Sequence, residues 1–143
     1  MSTLRQPYYT LSPEAFAGLR QTKAALENSP LGAELIELVY LRISQINGCS
    51  YCLEMHSKAL RQREVPQPKL DALAGWQASS RFSERERVAL QWAESLTALP
   101  DRQAADQDYQ PLLAHFSARE ISDLTFAVAL MNAFNRLAVG MRQ

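Results

Sequence analysis

Residues 47–56 read Asn-Gly-Cys-Ser-Tyr-Cys-Leu-Glu-Met-His and hold both cysteines of the chain and one of its two histidines. The spacing is Cys49-x-x-Cys52-x-x-x-His56. On a helix, residues three apart meet across one turn, so the sulfurs of Cys49 and Cys52 can approach each other. His56 lies four residues beyond Cys52, which stacks its imidazole over the second sulfur. Thiolates, not thiols, attack peroxides and disulfides, and a free cysteine ionises only near pH ~8.5. Two devices here favour the thiolate. The start of a helix offers unpaired N–H groups and the positive end of its dipole. His56 can take the proton from Cys52 directly or through a water. The stretch reads as a dithiol with a base attached.

A base of this kind works best when something orients it. Glu37 sits among Leu35, Ile36, Leu38, Val39, Tyr40 and Leu41, flanks that draw it toward the interior. From Glu37 to Gly48 is about 16 Å of helix, and from Cys49 to His56 about 10 Å, at ~1.5 Å per residue. If Asn47-Gly48 reverses the chain, His56 returns to within about one turn of Glu37. Glu37–His56–Cys52 is then a relay, with Cys49 as the second sulfur. Tyr40 and Tyr51 can pack or line a pocket beside it. Two other readings of the same residues remain. The cysteines and His56 can be core filler, or Cys49, Cys52, His56 and Glu37 can supply four zinc ligands. Against zinc, the chain has no second Cys/His pair of the kind that small structural zinc domains use.

The elements that must hold these groups read as helices throughout. Ser12-Pro13-Glu14 is a helix start, with proline at the first position and an acid near the positive end. Phe16, Leu19, Lys23 and Leu26 follow on one face, and Asn28-Ser29-Pro30 ends the run. The residues before it, to Thr10, read as an extended arm. Leu31, Leu35, Leu38, Val39, Ile43 and Ile46 recur at threes and fours, which predicts a helix over 31–47 broken at Gly48. A third helix follows over 50–63, then a loop at Pro66 and Pro68, then a short helix over 69–76. Ser83-Glu84-Arg85-Glu86 is a capping box that opens a helix running to Pro100. The Arg85-Glu86-Arg87 run reads as its exposed face. Residues 101–108 read as a polar connection and 109–116 as a helical turn. Ser117-Ala118-Arg119-Glu120 is a second capping box and opens the longest helix, 118–139. In that helix Asn132, Asn135 and Arg136 suit backbone capping or a subunit contact, and Met131, like Met55, reads as core filler. His115 reads as a helix-end residue without a role. No stretch alternates long enough for a sheet. The expected fold is all-α, a bundle of six to eight helices with a central hairpin carrying the Cys-x-x-Cys.

Composition narrows the function further. A chain of 143 residues is expected to form one domain, residues 1–143. Its formal net charge of zero lacks the basic footprint of nucleic-acid binding. No uninterrupted apolar run reaches the length of a membrane span, and the first residues lack the apolar stretch of a signal peptide. The expectation is a cytoplasmic protein, where two cysteines serve catalysis or metal binding rather than a permanent crosslink.

The combination of Glu37, eleven intervening residues, Cys49-x-x-Cys52 and His56 resembles the alkylhydroperoxidase D-like (AhpD-like) proteins of the carboxymuconolactone decarboxylase superfamily. Residues 42–50, the segment from Phe82 through Glu94, and Asn132-Ala133-Phe134-Asn135-Arg136-Leu137 are also similar, so the likeness runs from about residue 31 to the end. The resemblance implies an all-helical subunit assembling as a homotrimer or homohexamer, with thiol peroxidase activity and no metal or organic cofactor. Cys52 would attack the hydroperoxide and become a sulfenic acid, and Cys49 would resolve it. His56 and Glu37 would form the relay. The oxidised form would be a Cys49–Cys52 disulfide, returned to the dithiol by a lipoyl-type or other thiol reductant. The chain departs from the family pattern at Tyr51, where a relay histidine often stands. Tyrosine, ionising near ~10, is a poor base at neutral pH. A lactone decarboxylase of the same superfamily is the alternative enzyme, and it leaves both sulfurs idle. A non-catalytic oligomeric or zinc-binding module is the third.

Overall fold

Two helices of similar length meet at Gly48 and run back along each other. In the computed structural model, which describes residues 3–143, α3 (Ala33–Asn47) ends where Gly48 takes a left-handed conformation at φ 66°, ψ 37°. Only a residue without a Cβ enters that region freely. The Gly48 N–H donates to the Gln45 carbonyl and the Cys49 N–H to that of Ser44, closing the helix end. The chain then re-enters as α4 (Ser50–Gln62). α3 is buried on nearly every side, from Leu35 through Ser44, which is why its sequence shows such a broad apolar stripe.

α9 (Ala118–Met141) is the longest helix and packs along α3. It is long and apolar enough to cross a membrane by composition alone. Its Leu124, Ala127, Val128, Met131, Asn135 and Ala138 instead face the interior of the bundle. α6 (Glu84–Thr97) lies across both, and α2 (Pro13–Leu26) covers α9. Leu26, Val39, Ile43, Ala93, Leu124 and Met131 belong to the core these four helices share. A second cluster joins Leu38 and Leu41 of α3 to Leu60, Leu73, Trp76 and Leu90.

The all-α bundle expected from the sequence is the fold, with no strand among the described residues. The segment count is higher than six to eight because short pieces join the five long helices. These are α1 (Tyr8–Leu11), α5 (Gln67–Asp71), α7 (Leu99–Arg102), α8 (Asp106–Tyr109) and two 3-10 turns, Leu73–Ala78 and Gln110–Ala114. Such lengths are too brief for periodicity to reveal. Of the arm expected up to Thr10, residues 1–2 lie outside the described residues, and the rest is not wholly extended, since α1 begins at Tyr8. It is tied down where the Arg5 N–H donates to the Met141 carbonyl at 2.7 Å. α3 starts two residues later than expected because Gly32, at φ 91°, bends the chain first.

Both capping boxes form: Ser83 with Glu86, and Ser117 with Glu120. The Arg85-Glu86-Arg87 run is not an exposed face. Arg85 pairs with Glu120 at 2.9 Å and lies over the Phe116 ring, and Glu86 pairs with Lys69 at 2.8 Å. Arg87 donates to the carbonyls of Trp76, Gln77 and Ser79. The polar connection also holds a surprise: Asp108 is fully buried. Gln91 donates to its Oδ1 at 2.6 Å and Arg102 at 3.1 Å, which pairs that oxygen inside, whereas Oδ2 is buried without a protein partner.

Candidate active site

Cys49 is the N-cap of α4. It sits in extended backbone at φ −87°, ψ 99°, and its sulfur accepts the Cys52 N–H at 3.3 Å. One unpaired donor of the helix start is thus spent on a sulfur. Cys52 follows in the first turn, and the two are joined as a disulfide with Cα atoms 5.3 Å apart. Both cysteines are almost wholly buried, packed against Ala138 of α9.

His56 lies one turn beyond Cys52 and is also buried. Glu37, arriving from α3, meets its ring: Nδ1 donates to Oε2 at 2.7 Å. That bond fixes the tautomer and leaves the free lone pair on Nε2. Nε2 is shielded from solvent and has no hydrogen-bond partner. The buried Tyr40 ring stands 5.2 Å from the imidazole, tilted at 54°. The Tyr40 hydroxyl is also buried without a partner. Burial, and then the nearby charges of Glu37 and Glu27, push this phenol well above its ordinary range, so it stays protonated. It can pack against the ring but cannot serve as a base.

A cavity of about 300 Å³ opens onto Cys52 and His56. Phe16, Met55, Met131 and Phe134 give it an apolar wall, and Arg20 and Lys23 of α2 border it. Tyr51 borders it too and is partly exposed. Tyr8 donates to the side chain of Gln143, which brings α1 and the last residue together at the cavity. Burial raises the Tyr8 phenol, and the neighbouring Tyr51 and Tyr9 hydroxyls add to this.

The structure brings together Glu37, His56, Cys52 and Cys49, and it sets Tyr40 and Tyr51 beside them. His115 is exposed at the end of the second 3-10 turn, away from this cluster. Among the described residues no three His, Cys, Asp or Glu side chains converge in a metal-binding cluster.

Residues 12–95, more than half of the chain, match the carboxymuconolactone decarboxylase family, and that span includes Glu37, both cysteines and His56. The chain belongs to this family. A protein of unknown function from Agrobacterium tumefaciens, ATU0492, provisionally assigned to antioxidant defence as AhpD, has the same fold. It shows a TM-score of 0.94 and 35% identity over 99% of this chain and 97% of that one. The uncharacterized protein YnjA of Escherichia coli (strain K12) is 32% identical over 96% of this chain and 72% of its own length. The debrominase Bmp8 is similar at 25% identity and a TM-score of 0.76, over 90% of this chain and 68% of Bmp8. This is an AhpD-like member of the superfamily.

Sequence reasoning missed part of this AhpD-like site. Met55 is not core filler: it is 40% exposed and lines the cavity. Its position three residues after Cys52 placed it on the same helical face, and that spacing was the available signal. Tyr8 and Arg20 carried no such signal, because Tyr8 is placed by its bond to Gln143 and Arg20 by α2 folding over α9. Asn135 is a packing residue: it accepts from Asn47 at 3.0 Å and donates to Ser44 Oγ at 3.1 Å, tying α9 to the end of α3 just before the Gly48 turn.

Proposed function

We propose that this protein is a thiol-dependent peroxidase of the AhpD type, working on organic hydroperoxides. The observation that carries the reading is the shared position of Cys52 and His56 on one cavity, with Glu37 bonded at 2.7 Å to the far nitrogen of the ring. In the reduced state Nε2 takes the Cys52 proton, and the resulting imidazolium is stabilised by the Glu37 carboxylate. The thiolate attacks the outer peroxide oxygen. The O–O bond breaks, and the alcohol leaves with the proton that His56 returns. Cys52 is left as a sulfenic acid. The Cys49 sulfur attacks it, water departs, and the disulfide forms. A lipoyl-type dithiol or a similar thiol supplies two electrons to restore the pair. The setting is the reducing cytoplasm, and the working unit is a homotrimer or homohexamer.

The similarity to Bmp8 favours a second reading of the same thiolate. A brominated aromatic in the apolar cavity would give up bromine to the Cys52 thiolate while its ring carbon takes the proton held by His56, and Cys49 would then expel bromide to form the same disulfide. A turnover assay separates the two. Cumene hydroperoxide and a bromophenol are each offered with dihydrolipoamide, glutathione or thioredoxin as donor. Peroxide-dependent oxidation of a donor, lost in Cys49→Ser and Cys52→Ser, is the expected result. Turnover with the bromophenol alone would move the assignment to dehalogenation. Peroxide turnover that survives Cys52→Ser would end it.

A further inference from the structure

The disulfide is bordered by two cavities. The first reaches Cys52 and His56 but not Cys49. The second, also of about 300 Å³, reaches Cys49 but not Cys52, between Gly48 and Ser50 at the hairpin turn and Val139 and Arg142 at the end of α9. Ala138 and Gln143 border both, so the two cavities adjoin at the end of α9. Their linings differ in kind. The first is walled by aromatic and thioether side chains, suited to the organic body of a peroxide. The second is bordered by the Gly48 turn, Ser50 and Arg142 together with the small apolar Ala138 and Val139, a lining suited to a small thiol.

We propose that oxidant and reductant use separate cavities, the peroxide meeting Cys52 in the first and a small dithiol donor meeting Cys49 in the second. The oxidant's half rests on the peroxidase reading above, whereas the reductant's half stands on the disulfide alone. A donor thiolate attacks Cys49 Sγ. A donor–Cys49 disulfide forms, the Cys49–Cys52 bond breaks, and Cys52 leaves as a thiolate, which takes up from solvent the proton that the donor thiol released on ionising. The donor's second thiolate attacks its own sulfur in the mixed disulfide and expels Cys49, which takes a proton. The donor loses two electrons and two protons, and the protein gains both as two thiols. The Cys52 N–H on Cys49 Sγ polarises the sulfur under attack and steadies it as it leaves in the second step. Attack at Cys52 would instead require the donor to enter the apolar cavity.

The two halves are measured separately on the full chain. Reduction is followed from protein oxidised with diamide, so that it needs no peroxidase activity, with dihydrolipoamide as donor. Oxidation is followed from the reduced protein with cumene hydroperoxide. Val139→Phe narrows the second cavity and should slow reduction about tenfold or more, with oxidation changed less than about twofold, since exchange rate follows access. Met55→Trp, on a partly exposed residue of the first cavity, should give the mirror result. Should Val139→Phe not fold, Val139→Ala carries the test: reduction should speed up while oxidation holds. Equal effects on both halves from either Val139 variant, or Met55→Trp slowing reduction as much as oxidation, would overturn the proposal. If the wild-type protein resists peroxide while Val139→Phe still slows reduction, the peroxidase reading falls and the reductant's route stands.

Discussion

His56 makes one hydrogen bond and lacks another, and the chemistry depends on that difference. Nδ1 is committed to Glu37, and Nε2 is buried with no protein hydrogen-bond partner beside the Cys52 cavity. Removing the base by His56→Ala should slow oxidation by peroxide about 10²- to 10⁴-fold, the usual contribution of a positioned base. Glu37→Gln keeps the shape but loses the charge that holds the imidazolium, and a fall of about tenfold or more is expected. Single-turnover oxidation checks both. The same change replaces a carboxylate on a buried ring nitrogen by a weaker acceptor. A cost of about 1–3 kcal/mol in urea unfolding should accompany it. Tyr40 predicts the opposite sign. Its hydroxyl is buried without a partner, so Tyr40→Phe should leave stability unchanged or raise it by about 1 kcal/mol. Peroxide oxidation should stay within about twofold of wild type if the ring only packs against His56.

At the scale of the elements, the site depends on a hairpin whose left-handed turn residue favours glycine. Gly48→Ala puts a Cβ in the left-handed region, which costs about 1–2 kcal/mol. Because Cys49 follows directly, the variant should also slow disulfide formation more than its loss of stability explains, as read by thiol loss after one equivalent of peroxide. The helix starts respond to acid. Burial pushes the Asp108 carboxyl up, but donors from Gln91 and Arg102 outweigh it and hold the group below its ordinary value. Glu120 is also held below, by the Ser117 backbone N–H first and by Arg85 as well. Each therefore adds stability that is fully present above the unfolded carboxyl range near ~4 and is lost as pH falls through the depressed folded value. Urea midpoints should fall below about pH 4. Asp108→Asn should flatten that fall, from a lower starting stability. The hairpin was legible because Asn47-Gly48 ends a broad apolar stripe and the Cys-x-x-Cys spacing restarts it. Burial of Asp108 was not, because it needs Gln91 and Arg102 to arrive from another helix and another turn.

For the whole molecule, the sequence revealed the parts of the site that lie on one hairpin and concealed the parts that fold over it. Glu37, Cys49, Cys52 and His56 are within twenty residues of each other, so helix geometry alone could set their relative positions. The cavity wall draws on Phe16, Met131 and Phe134, which come from both ends of the chain. Only the packing of α2 and α9 brings these together, and no local spacing encodes that. The 85–87 run reads as an exposed face from sequence for the same reason, since the partners of its arginines lie on other elements. All of these layers serve one claim: a base held by Glu37 makes Cys52 the attacking sulfur and leaves Cys49 to resolve it. Intact-mass analysis after one equivalent of cumene hydroperoxide tests this most directly. The reduced wild-type protein should lose both thiols to an internal disulfide. Cys49→Ser should gain one oxygen at Cys52, and Cys52→Ser should stay unmodified. Oxygen gained at Cys49 in the Cys52→Ser variant, at a rate matching the wild-type protein, would contradict it.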